Sequence, residues 1–113
     1  MPRARQLRER VAFDQREAVS DSLGSVEGDF VQRFVCAAGI RAKFGGEAVT
    51  AARLASQQPV LITVRQSEKT REVAADWWVR DVHDGTIYNI RSIADPDGDG
   101  AWLEMLCQRG AGA

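Results

Sequence analysis

The chain has 113 residues, 15 basic and 16 acidic side chains, and a formal net charge of -1 at pH 7. Such a length suits one domain, residues 1–113, that buries roughly two-thirds of the surface its unfolded form exposes, so neither a metal nor a disulfide is needed for a stable core. The charge balance excludes a protein that binds nucleic acid through its overall field, and any such contact must come from local clusters.

Met1 to Arg10 is a basic arm: Arg3, Arg5, Arg8 and Arg10 surround Leu7, and too little apolar surface is present to pack. It reads either as a solvated terminus or as a contact for an acidic surface or phosphates. No apolar stretch follows it, so neither a signal peptide nor a membrane span is expected, and the protein should be soluble and made in a reducing cytoplasm. Cys36 and Cys107 lie far apart in strand-like runs and read as two reduced core thiols.

Val11, Phe13 and Gln15 alternate with Ala12 and Asp14 and predict a short first strand. Glu17 to Gly28, rich in Ser, Asp, Gly and Glu, reads as a projecting loop. Phe30 to Phe44 follows as a long strand with Phe34, Cys36, Ala38, Ile40, Ala42 and Phe44 on one face, and Gly39 marks the expected bulge or bend. A helix over Val31 to Ala38 is the other reading of that apolar run. Gly45-Gly46 ends it, and the Ala-rich segment to Gln57 favours a short helix or helical loop. Pro59 stops that segment, and the β-branched run Val60 to Arg65 predicts a strand, with Gln66 to Glu72 as the next loop.

From Ala75 to Arg109 two turn signals cut the chain into three strand-length pieces, an antiparallel meander. One is Asp84-Gly85, read as a two-residue hairpin turn; the other is the cluster Asp95 to Gly100. On the middle piece Tyr88 and Ile90 share a face while Ile87 and Ile93 point to the other. On the last, Leu103, Met105 and Cys107 alternate with Glu104 and Gln108, while Trp102 and Leu106 fall on the polar side. Apolar groups on both faces predict a sheet covered twice, once by the chain itself and once by a neighbouring subunit. Short strands with at most one helical insertion make the expected fold mainly β: a small antiparallel barrel or sandwich.

Chemical sites are sparse. Asp95-Pro96-Asp97-Gly98-Asp99-Gly100 begins like a calcium loop, but the position of the bidentate Glu is Leu106, so a plain turn is the better reading. His83, the one histidine, has no nucleophile or second ligand nearby, and Asp76 and Asp81 flank Trp77 and Trp78 without a cleft to make them acid and base. No catalytic, metal or cofactor residue is assigned. In a strand the paired tryptophans face opposite ways, one into the core and one toward a neighbouring chain.

The opening Arg-Gln-Leu-Arg-Glu-Arg-Val-Ala-Phe resembles that of the phage head-tail joining, or head-tail connector (stopper), family. The resemblance continues through the strand ending at Phe44, the Gly-Gly-Glu start of the insertion and the strand Val60 to Arg65. Gly-Thr-Ile-Tyr-Asn-Ile, Asp-Pro-Asp and Trp-Leu-Glu-Met-Leu-Cys complete it, so it covers nearly the whole chain. The Glu17 to Asp29 segment and the Trp77-Trp78 pair depart from it.

The resemblance implies a non-enzymatic β-barrel subunit of a phage, prophage or gene transfer agent neck, assembled in the bacterial cytoplasm. It implies a homo-oligomeric ring, a hexamer or a dodecamer, below the portal-adaptor complex. That ring helps retain packaged DNA and offers a docking surface to the tail. Implied partners are a portal-side adaptor, a tail terminator or other tail protein, and the double-stranded DNA in the channel, with no membrane. The segment from Gly45 to Gln57 becomes the channel-side loop, with Gly45, Gly46, Glu47 and Arg53 as candidates. Arg3, Arg5, Arg8, Arg10, Trp77 and Trp78 become candidate interface residues. The other reading of the residues is a monomeric nucleic-acid-binding barrel, which the arm permits and the carboxylates around the tryptophans disfavour.

Overall fold

Alternation of apolar and polar side chains resolves into six strands in a computed structural model that describes residues 7–21, 24–42 and 58–110. They are β1 (Glu9–Asp21), β2 (Gly24–Ala42), β3 (Pro59–Arg65), β4 (Trp78–Asp81), β5 (Ile87–Ala94) and β6 (Trp102–Arg109). The strands close into an antiparallel barrel in the order β1-β2-β3-β6-β5-β4, the fold class expected from the sequence. Closure pairs the strand edges that an open sheet leaves free. The expected helical insertion falls outside the described residues.

Inward-facing Val11, Phe13, Ala38, Ile62, Val64, Val79, Met105 and Cys107 are fully buried and fill the barrel. Phe13 stacks on Phe34 with ring centroids 4.9 Å apart, and Phe34 meets Trp77 edge-on at 6.5 Å. These rings seal the interior where β1, β2 and the approach to β4 converge. The inward positions of β6 are those its alternation predicted: Met105 and Cys107 are buried and Leu103 packs on them.

Three expectations of register are corrected. Glu17 to Gly28 is not a loop: β1 and β2 continue as a hydrogen-bonded ladder to Asp21 opposite Gly24. The first strand is therefore much longer than Val11 to Gln15. Its backbone pairing compensates for a composition that favours loops. The bulges in β2 lie opposite the steps Phe13/Asp14 and Arg16/Ala18, not at Gly39. Gly39 instead begins the stretch that pairs with β3, directly after Ala38, which pairs with β1. Val31 to Ala38 is strand, as the first reading of that run has it, and not the alternative helix. On β5 an irregularity between Ile90 and Ser92 inserts one residue, so Ile93 packs on the core with Ile90 and Tyr88 instead of facing outward.

The turns also differ in detail. Asp84-Gly85 lies in a wider loop: the Gly85 amide donates to the Asp81 carbonyl at 2.8 Å, and the Asp81 amide donates to the Thr86 carbonyl at 2.8 Å. Gly85 has φ of 78°, the left-handed conformation that the Asp-Gly signal promised, and the Asp84 carboxylate accepts from the Thr86 amide at 2.8 Å. Between β3 and β4 the 3-10 turn Thr70–Glu72 is anchored by buried Thr70, whose hydroxyl donates to the Arg65 carbonyl at 3.0 Å and accepts from the Ser67 amide at 2.7 Å.

Cys36 and Cys107 are free thiols, and burial pushes them up from 9.0 to about 11 and about 12 respectively. A thiol held protonated in the folded state ionises first in the unfolded chain, so native stability should fall as pH rises above about 9. Urea midpoints measured from pH 7 to 11 should show that decline, and Cys107→Ala should lessen it. Removing Phe13, at the centre of the ring stack, should cost about 3–5 kcal/mol in the Phe13→Ala variant, read from the same urea titration at pH 7.

Candidate assembly surface

Only Val11 to Asp14 of β1 has a strand on each side, β2 on one and β4 on the other. Beyond Asp14 the β1–β2 ladder leaves the barrel as a two-stranded ribbon. From Gln15 to Asp21 it reaches roughly 20 Å at the usual rise per strand residue. Among the described residues no third strand pairs with it, and β3 joins β2 only from Gly39 to Ala42.

A cluster on the barrel's outer face fixes the ribbon's base. Phe30, on the ribbon, lies flat on Trp78 of β4, with centroids 3.5 Å apart and planes 9° from parallel. The Arg16 guanidinium covers the other side of Phe30 at 4.6 Å and donates to the Gly28 carbonyl at 3.1 Å. Beside them Arg80 donates to Asp14 at 3.1 Å and to Gln32 at 2.7 Å, and Arg33 donates to Gln15 at 3.1 Å. Asp14 is 7 % exposed, so its bond to Arg80 lies largely out of water, where a charge-assisted contact orients its partners firmly.

The paired tryptophans part where the chain enters β4, Trp77 just before the strand and Trp78 as its first residue. Trp77 is 5 % exposed and belongs to the interior; Trp78 lies outside, beneath Phe30. Sequence reasoning singled out Trp78 but missed Phe30, Arg16, Asp14 and Arg80. Phe30 is one aromatic beside a Gly-Asp pair, and its partner lies 48 residues away in a strand whose pairing only the closed barrel reveals.

Second, the outer face is not bare. Trp102 sits under the Arg65 guanidinium at 4.9 Å, and Gln66 donates to the Trp102 carbonyl at 3.0 Å. Among the described residues Val82 alone is a large, exposed hydrophobic side chain. The expectation of a broad apolar face awaiting a neighbour is therefore corrected: arginine stems and Phe30 already cover much of it.

The strand directions sort the remaining sequence candidates between two ends. The ribbon, the segment from Gln66 to Trp77 and the Asp95–Gly100 loop share one end. The start of β1, the end of β2, the start of β3, the β4–β5 loop and the end of β6 share the other. Arg8 and Arg10 are exposed at that second end. Arg3 and Arg5 lie outside the described residues, as do Gly45, Gly46, Glu47 and Arg53.

Neither of the other sequence motifs forms a reactive site. The Asp95 carboxylate accepts from the Gly98 amide at 3.0 Å and the Gly100 amide at 2.8 Å, so both oxygens serve the loop's own geometry. Asp81 accepts from the His83 amide at 2.8 Å, and His83 itself is exposed. Among the described residues no group of His, Cys, Asp and Glu is arranged to hold a metal, and no helix is long and apolar enough to cross a membrane.

A model of a known protein family, described as phage head completion protein, matches residues 2–110. The chain belongs to the phage head completion protein family. Membership assigns it a structural role at the phage head-tail region, which implies a non-enzymatic one. Two solved structures share the fold of this family member. One is the solution structure of a protein from Shigella flexneri 2a, 24% identical, TM-score 0.71, covering 94% of this chain and 95% of that one. The other is a chain of the virion of a native gene transfer agent particle, 20% identical, TM-score 0.67, covering 100% of both. No curated protein matches the chain.

The aromatic buttress generates its own prediction. In Trp78→Ala the barrel should stay folded while the ribbon loses its support. Amide hydrogen exchange of residues 15–30 should then accelerate at least tenfold, with β3 and β6 amides little changed; uniform acceleration would show that Trp78 instead supports the whole barrel.

Proposed function

We propose that this protein is a head-tail connector of the stopper or adaptor kind. It forms a ring below the portal-adaptor complex in the neck of a phage or phage-like particle, helps retain packaged DNA and presents a docking surface to the tail. The family match across residues 2–110 carries the reading, since it places a structural role on the whole barrel. The likeness in fold to a chain of a gene transfer agent virion supports the particle context.

Architecture supports it as well. β2 ends at Ala42 and β3 begins at Pro59 at one end of the barrel, so the chain between them is tethered there, with the amino-terminal arm at the same end. The ribbon emerges at the opposite end. The two ends of the barrel thus offer separate attachment surfaces, with the 45–57 segment toward the channel and its candidates Gly45, Gly46, Glu47 and Arg53 nearest the DNA. The arm arginines, Arg3, Arg5, Arg8 and Arg10, and Trp78 then lie among the contacts to neighbouring proteins.

Deleting Gly46 to Ser56 tests this role. The barrel should remain folded by circular dichroism and the particle should assemble, but packaged DNA should escape, measured as the nuclease-resistant DNA per purified particle. Particles that hold DNA normally after the deletion would overturn the channel assignment.

A further inference from the structure

The ribbon poses a physical problem. A two-stranded ribbon alone in water is marginally stable, and unpaired strand edges invite pairing with other chains. Yet this one is held at a set angle by the Phe30–Trp78 stack, the Arg16 cover and the Asp14–Arg80 bridge. Rigidity at the base lowers the ordering cost of docking, as expected of an arm preformed for a partner.

Charge identifies the partner. The ribbon's end of the barrel exposes Glu17, Asp29, Glu68, Glu72, Asp76, Asp97 and Asp99 against Arg16, Arg33, Arg65, Lys69 and Arg71, an acidic excess. The opposite end exposes Arg8, Arg10, Arg41 and Arg109 against Asp84 and half-buried Glu9. The near-zero net charge thus conceals a molecule whose two ends are complementary to each other. Like ends repel and unlike ends attract, so the surface that fits the acidic ribbon is carried by another copy of the same chain.

We propose that the β1–β2 ribbon of one subunit, leading with Glu17 and Asp29, docks onto the basic end of the next copy at Arg10 and Arg41. The contact is heterologous: each subunit gives its ribbon to one neighbour and receives the ribbon of the other. Repetition of such a contact closes a ring when the rotation between copies permits. The inference rests on the ring reading above and adds the contact that builds the ring.

Charge reversal tests it in assembled particles. Three variants are compared: Glu17→Lys with Asp29→Lys, Arg10→Glu with Arg41→Glu, and all four together. Circular dichroism and thermal unfolding verify that each folds, and quantitative mass spectrometry of purified particles measures how much is incorporated.

Each double variant should be incorporated about tenfold less than the unaltered chain or worse, because it sets like charges against each other. The fourfold variant reverses both sides of every contact and should recover most of the loss. Normal incorporation of either double variant overturns the proposal, as does a folded fourfold variant no better than the doubles. Should a lysine variant misfold, Glu17→Gln with Asp29→Asn takes its place; it must lower incorporation measurably, and unchanged incorporation is again fatal. Imaging of unaltered particles separates this proposal from the reading beneath it. Isolated copies with no like neighbour sink the ring itself, whereas a ring insensitive to these charges sinks only the ribbon contact.

Discussion

The short seam between β1 and β4 is the constraint on which the structure depends. Val11 to Asp14 pairs with β2 on one side and with Asp81 to Trp78 on the other, which turns a meander into a barrel. The same few residues supply inward Val11 and Phe13 and outward Asp14, whose carboxylate holds Arg80. Closure, core and buttress therefore meet in one stretch of strand. A change there acts on all three at once, because a backbone ladder, a ring stack and a largely buried ion pair share its atoms.

Past the seam β1 and β2 leave the barrel, and among the described residues they have only each other to pair with. The flat stack of Phe30 on Trp78 converts what would be a loose hairpin into an oriented arm. Aromatic area and a guanidinium cover supply rigidity at little conformational cost, since rings carry few rotatable bonds. An arm so prepared, on a chain of the head completion family, is in keeping with a structural role. The polar groups that looked reactive in isolation, Asp81 and the Asp95 carboxylate, are engaged by the amides of their own loops.

Among the described residues the outer face offers little bare apolar surface. Outer-face Trp102 and Trp78 lie beneath Arg65 and Phe30, and a barrel whose outer face is covered this way avoids indiscriminate aggregation while it waits for partners. In the contact proposed above, electrostatic polarity between the ends supplies direction. Charges steer approach and reject wrong orientations more effectively than they add affinity, which suits a component added in order to a growing particle.

The sequence by itself determined the strand chemistry: β3 from its β-branched run, the inward alternation of Leu103, Met105 and Cys107, the Asp-Gly turn, the two unbridged thiols and the resemblance in order and spacing across the chain. These are local, and side-chain alternation and turn geometry act within a few residues. Tertiary structure decided the rest. It extended Glu17 to Gly28 into a ribbon because backbone pairing across the hairpin outweighs a polar composition. It moved Ile93 to the core because one extra residue on β5 shifts every later side chain to the other face. It joined Phe30 to Trp78 and Asp14 to Arg80 because barrel closure alone brings those distant positions together, and no periodicity within either segment encodes the other.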